Sequence, residues 1–310
     1  MNGRLVEFEK ASIHILSHAL HYGSGVFEGI RCYKTKRGPA VFRLQEHLER
    51  LENSAKVYRM PIPYSADELT EAVAETIRAN EFESCYIRPI VYRGFGTLGV
   101  NPLRSPVDVA IAVWPWGKYL GEEAESGVDV CVSSWRRVSP DALPAVAKAT
   151  GNYLNAQLIK MEALTNGYIE GIALDHRGFV SEGSGENVFL YFNHGLVTPP
   201  VAASLLSGIT RDAVLTIAGD LDIPVRREMV PRGHLYTCDE LFLTGTAAEI
   251  TPVRSVDRIP VGKTCPGPVT QQIMERFHGI VTGEIEDRHG WLHAVNPVAV
   301  EAEAEARAAS

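Results

Sequence analysis

Between residues 171 and 195 the chain reads as short extended runs joined by turns too short to hold a helix. Gly171–Leu174 and Phe179–Glu182 flank the tetrapeptide Asp175-His176-Arg177-Gly178, and Val188–Phe192 runs into the tight turn Asn193-His194-Gly195. Turns of this length join antiparallel neighbours, because a parallel pair needs a crossover of about a dozen residues or more. Further strands are expected at 85–92, 107–114 and 128–133, and near 224–230, 240–244 and 249–254. Strands outnumber helices, so the expected fold class is α+β, with largely antiparallel sheets and helices packed on them.

Helices show through apolar spacing. Leu44, Leu48, Leu51 and Ala55 mark one stripe, and Leu69, Val73 and Ile77 stand at i, i+4 and i+8 on another. Two more helices are expected from about Asn152 to Thr165 and from Thr210 to about Gly219. A chain of 310 residues suggests two domains, or one large one. The polar, glycine-containing stretch Gly121–Gly127 is the candidate linker. The expected division is a small N-terminal α/β domain over 1–117, a linker over 118–127 and a larger C-terminal domain over 128–296. The Ala/Glu-rich tail over 297–310 is expected to fray.

A net charge of −8 argues against a nucleic-acid partner, since phosphate backbones call for a basic surface. A local basic pocket for a small anion stays open. Charges interrupt the N-terminus every few residues, and no apolar run approaches a membrane span. The five cysteines are scattered, with no Cys-x-x-Cys pair, which fits reduced thiols in the cytoplasm. No metal-ligand cluster is visible.

Several segments admit both a plain and a functional reading. Gly23-Ser24-Gly25-Val26-Phe27-Glu28-Gly29 lacks the dinucleotide-binding spacing and suits a turn or a close backbone approach. Lys148, set between alanines, can be exposed, or it can be a nucleophile whose amine is kept neutral by burial. Arg50 faces away from the leucine stripe and can pair with Glu46 on the surface. Glu182 can be a solvated loop carboxylate or one held beside a buried cation. Gly208-Ile209-Thr210-Arg211-Asp212 suits a helix start, whose free N–H groups bind phosphate readily. Thr244-Gly245-Thr246-Ala247 can be a plain turn or a second set of donors.

In order along the chain, these segments resemble the branched-chain amino-acid aminotransferases of pyridoxal-phosphate fold type IV. The resemblance is carried by Ser17-His18-Ala19-Leu20-His21-Tyr22-Gly23, Val26-Phe27-Glu28-Gly29-Ile30-Arg31, Phe42-Arg43, Glu46-His47 and Arg50-Leu51. It continues through Tyr86-Ile87-Arg88-Pro89, Gly99-Val100-Asn101-Pro102, Pro115-Trp116-Gly117, Ala147-Lys148-Ala149 and Gly151-Asn152-Tyr153-Leu154. Ser181-Glu182-Gly183, Gly185-Glu186-Asn187, Gly208-Ile209-Thr210-Arg211 and Gly245-Thr246-Ala247-Ala248-Glu249 complete it. It runs in register from about residue 2 to residue 296, and its joint order is highly specific.

The resemblance implies reversible transamination between L-leucine, L-isoleucine or L-valine and 2-oxoglutarate. It makes Lys148 the Schiff-base lysine and proton shuttle. Glu182 would meet the pyridine nitrogen and Tyr153 the ring hydroxyl. Arg50, Leu206, Gly208, Ile209, Thr210, Gly245 and Thr246 would complete the cofactor site. Tyr22, Phe27, Gly29, Tyr86, Arg88, Tyr119, Thr246 and Ala247 would line the substrate pocket, with Val100 reaching in from a neighbouring subunit. The expected partners are small-molecule amino acids and 2-oxo acids, with further copies of the chain in a homodimer or trimer of dimers. Two rivals share the fold, a D-amino-acid transaminase and an aminodeoxychorismate lyase; a third is a pyridoxal-phosphate binder without activity. Tyr86-x-Arg88 and Gly-Val-Asn-Pro favour the branched-chain reading. One departure is Met1 standing directly before Asn2-Gly3, where family members carry further residues; it puts the edge of the first sheet in question.

Overall fold

The computed structural model describes residues 1–117 and 120–296, the side chains of Glu122 and Glu123 excepted. The expected fraying of 297–310 lies outside the described residues. The first layer begins with α1 (His18–Tyr22), β1 (Gly25–Phe27), β2 (Ile30–Thr35) and β3 (Gly38–Phe42). It continues with α2 (Leu44–Val57), α3 (Ala66–Ala79), β4 (Cys85–Arg93) and β5 (Val107–Trp114). All strand pairs of this sheet are antiparallel, and β4 is its centre, pairing with β1 and β2 on one edge and β5 on the other. The edge of β5 is met by Asn2, whose N–H donates to the Val109 carbonyl and whose Oδ1 accepts from the Val109 N–H.

The stripes on α2 and α3 do what their spacing demands. Leu44, Leu48 and Leu51 from α2 and Leu69, Val73 and Ile77 from α3 bury against Ile30, Ile87 and Val91 of the sheet. At about 2 kcal/mol per fully buried large side chain, this face holds both helices down.

The second layer holds β6 (Val128–Val132), α4 (Tyr153–Thr165), β7 (Glu170–Leu174), β8 (Val180–Glu182), β9 (Asn187–Phe192) and β10 (Gly195–Thr198). After it come α5 (Ile209–Asp220), β11 (Val225–Arg227), β12 (Glu240–Gly245), β13 (Glu249–Val256), β14 (Ile259–Pro260) and α6 (Pro268–Val281). The short turns between 171 and 195 make antiparallel pairs as expected. The sheet is nonetheless mixed. α4 carries the chain from β6 to a parallel β7, and α5 from β10 to a parallel β11. The pairing of β13 with β6 is parallel too.

β15 (Leu292–Ala294) leaves this layer and pairs with β3 of the first. Trp291 before it meets Phe42, and both join Phe189, Phe242, Ile217, Ile273 and Phe277 in one apolar core. That core cements the two layers, and the pocket opens along their seam.

Candidate active site

Arg50 is placed by the helix that the leucine stripe buries. On the opposite side of that stripe it turns to Glu28 at the end of β1. Its Nε and Nη2 donate to the two carboxylate oxygens at 2.7 and 2.8 Å, and its Nη1 reaches the Ser207 carbonyl at 2.9 Å. The surface pair with Glu46 does not form; Glu46 takes Arg43 instead, at 2.6 Å. Glu28 has no exposed surface. Burial alone would raise its carboxyl, but the charges and hydrogen bonds of Arg50 and His47 outweigh that and hold it well below the usual carboxylate range. His47, itself pushed down by burial, meets Glu28 through Nδ1 at 2.7 Å.

Lys148 lies where the chain passes between the layers. Its carbonyl accepts from the Phe27 N–H at 3.0 Å and its own N–H donates to Ser54 Oγ at 3.0 Å, so both ends of the peptide are tied to the first layer. The amine donates to Tyr153 Oη at 2.5 Å and lies 5.0 Å from the Phe27 ring centre. Opposite stands Glu182, the last residue of β8. It pairs with Arg137 at 3.0 Å and accepts from the Leu206 N–H at 3.0 Å and Asn187 Nδ2 at 3.3 Å. Burial pushes its carboxyl up, against Arg137, the Leu206 amide and Lys148.

A third wall is the start of α5. Gly208 precedes it, and a Cβ there would stand 2.1 Å from Asn187 Oδ1. Glycine is therefore required for this close approach. The first-turn N–H groups of Ile209 and Thr210 have no acceptor within the helix and line the same pocket as Arg50. Across from them stand Gly245, which ends β12, and Thr246 and Ala247, which follow it. Glu249 closes that turn with a left-handed backbone (φ 53°), and its carboxylate accepts from Tyr33 Oη at 2.8 Å with Arg31 at 3.6 Å.

The open end is aromatic. Tyr86 lies between Trp114 and Trp116, with ring centres 5.2 and 4.4 Å away. A Cβ on Gly29 would stand 2.0 Å from Tyr86 Oη, so this ring can take its place only against a glycine. Arg88 lies over Phe27, Tyr86 and Trp114 at 4.7, 5.4 and 5.7 Å. The space between these walls amounts to about 780 Å³ with its open mouth included.

The pocket brings together Lys148, Arg50, Tyr153, Glu182, Leu206, Gly208, Ile209, Thr210, Gly245, Thr246, Phe27, Gly29, Tyr86, Arg88 and Ala247. Tyr22 and Val100 stand outside it. Val100 is 85% exposed, and Tyr22, half exposed, stacks on His18. Tyr119 lies outside the described residues. Sequence reasoning assigned no role to Glu28, Arg137, Glu186, Asn187 or Trp116. Glu28, Glu186, Asn187 and Trp116 sit in segments quoted above, Arg137 in none; Glu28 and Arg137 find their partners, Arg50 and Glu182, in distant parts of the chain.

This donor set suits pyridoxal phosphate. A guanidinium and two helix-start N–H groups answer a phosphate dianion. A lysine amine answers an aldehyde, a tyrosine hydroxyl a ring oxygen, and a buried carboxylate a protonated ring nitrogen. The model of the amino-transferase class IV family matches residues 25–256. The branched-chain-amino-acid aminotransferase of Escherichia coli K12 is 54% identical over 297 residues, covering 95% of this chain and 96% of its own length. The crystal structure of the E. coli enzyme superposes with a TM-score of 0.93 at 54% identity, covering 95% of this chain and 98% of that one. The branched-chain amino acid aminotransferase of Thermobaculum terrenum, solved in its PLP-bound holo form, reaches 0.89 at 34% identity, covering 95% and 97%. With a site assembled from two layers in this way and relatives matched over nearly its whole length, the chain belongs to the class IV aminotransferases, among the branched-chain-amino-acid aminotransferases.

Proposed function

We propose that the chain transfers the amino group between L-leucine, L-isoleucine or L-valine and 2-oxoglutarate, with pyridoxal phosphate as cofactor and the cytoplasm as its place of work. Among the described residues no helix is long and apolar enough to cross a membrane. When bound, the cofactor supplies an electron sink for negative charge at the substrate's α-carbon. Arg50, Ile209, Thr210 and Thr246 would hold its phosphate, Glu182 its ring nitrogen and Tyr153 its ring hydroxyl. Lys148, its amine oriented by Tyr153, would hold the aldehyde end and would serve as the base for the α-proton.

Arg88 carries the substrate assignment. Such an enzyme accepts an apolar side chain in one half-reaction and a carboxylate in the other, and a purely apolar pocket would leave that carboxylate unpaired at a cost of several kcal/mol. On β4 the side chains alternate as its pleat requires: Cys85, Ile87 and Val91 enter the core, while Tyr86 and Arg88 enter the pocket. The buried Nε of Arg88 has no hydrogen-bond partner among the described residues. Its stem and the surrounding rings serve an aliphatic side chain, and its charge serves glutamate. Arg88→Met is expected to slow the single-turnover rate with L-glutamate at least tenfold, about 1.4 kcal/mol, and to leave L-isoleucine within about threefold. Equal losses on both would confine Arg88 to supporting the fold or the shared α-carboxylate.

A homodimer or trimer of dimers fits an exposed apolar surface. Phe95, Leu98 and Val100 stand in a loop tied to α1 by the His18 Nε2 contact with the Gly99 carbonyl at 2.8 Å. Tyr22, half exposed, and Val100, exposed, would reach a second copy's pocket. Val100→Asp is expected to shift sedimentation toward smaller, less active species; a fully active monomer at assay concentration would rule this out.

A further inference from the structure

Three carboxyl groups lie buried around the turn that follows β8: Glu170, Glu182 and Glu186. Two have cations. Lys160 Nζ stands 2.7 Å from Glu170, and Arg137 stands 3.0 Å from Glu182. Glu186, 3% exposed, forms no ion pair among the described residues. Its Oε2 accepts the Gly185 N–H at 3.0 Å.

The side chain is wedged. A Cβ on Gly183 would stand 2.9 Å from its Oε2, and one on Gly245 3.5 Å from its Cγ. It thus fills the space between the turn that follows Glu182 and the strand end that leads to Thr246, and it forms part of the pocket wall. A carboxylate without a cation is far costlier to bury than the neutral acid of the same shape.

We propose that Glu186 is a positioning residue that works as an uncharged carboxylic acid, wedging the Gly183–Gly185 turn against Gly245 so that Glu182 and Thr246 keep their places around the cofactor. The surrounding charges agree. Glu170 faces it from β7, Glu182 from β8 and Lys160 from α4, while β12 and the turn after it bring the uncharged Thr244, Gly245 and Thr246. Burial first, then the charges of Glu170 and Glu182, raise the Glu186 carboxyl to about 8, against Lys160 and the Gly185 N–H.

Only the cofactor measurement below rests on the proposed function. A carboxyl raised on folding contributes stability that is complete below its unfolded pKa, about 4.3, and is lost as pH rises to the folded value. Glu186→Gln keeps the shape and cannot ionise. Its melting temperature relative to the native protein is expected to climb by about 4 °C between about pH 5.5 and about pH 8.5. A difference that stays flat or falls would mean an ionised Glu186 and would overturn the proposal. The infrared spectrum of the native protein minus that of E186Q should show a protonated carboxyl at neutral pH, and its absence would overturn it equally. Should E186Q not fold, the same band followed in the native holoenzyme decides: loss near pH 8 supports the proposal and absence at neutral pH sinks it. The dissociation constant for pyridoxal phosphate should be at least about tenfold higher in E186A than in E186Q, about 1.4 kcal/mol. Equal constants would remove the positioning role. A native chain that binds no pyridoxal phosphate would refute the proposed function and leave the ionisation results standing.

Discussion

Lys148→Ala is expected to lower turnover by about ten-thousand-fold or more while the protein still takes up pyridoxal phosphate. The two outcomes separate because the groups are separate. Arg50, the α5 start and Glu182 hang on contacts that do not involve the lysine amine. The backbone of residue 148 keeps its bonds to Phe27 and Ser54 when the side chain is cut to alanine. The pocket should therefore survive, with the Tyr153 hydroxyl losing its amine donor. Uptake is read by equilibrium dialysis and by the visible spectrum, which should match the free aldehyde form of the cofactor. Transamination within a hundredfold of the native rate would place the proton-moving base elsewhere.

Arg50→Ala should do two kinds of damage. The first is to the cofactor: removing a guanidinium from the phosphate site should raise the dissociation constant about thirtyfold, roughly 2 kcal/mol. The second is to the fold. Glu28 is fully buried, and without Arg50 its carboxylate keeps, among the described residues, only His47. Breaking one side of a buried pair costs about 3 kcal/mol or more. Because Arg50 and His47 hold the Glu28 carboxyl down, their contribution is present above the unfolded pKa and lost as pH falls. The variant should thus lose stability at neutral pH and less in acid. Adding Glu28→Gln should restore much of the stability and none of the cofactor affinity. A dissociation constant that moves by less than about threefold would make Arg50 a structural pair alone.

The elements legible in the sequence are those whose pattern is local. Strands at 85–92 and 107–114 match β4 and β5, and helices from about 152 and 210 match α4 and α5. β15 was not legible, because three residues pairing with β3 from the far end of the chain leave no periodicity. The parallel pairs in the second layer escaped for a related reason: hairpin-length turns reveal neighbours in sequence, not the strands that crossovers bring together. At the site the residue types were legible through the resemblance, whereas their partners were not. Helix phase puts Arg50 off the leucine stripe, but Glu28, 22 positions away, decides that it faces a buried acid rather than Glu46. Likewise, nothing local ties Arg137 to Glu182 or leaves Glu186 without a cation.

The cup around Arg50 joins distant stretches of chain. Arg50 and Ser207 are 157 positions apart, and Arg43, which reaches Asp212 at 2.7 Å, is 169 positions from it. Closing loops of that length costs entropy that only the folded chain between them can offset. A nascent chain that has not yet delivered α5 already owns Glu28, Arg50 and Lys148 but has no phosphate site. Cofactor capture therefore marks how far the chain has been made: the groups that would grip the phosphate do not meet until α5 and the end of β12 have joined Arg50.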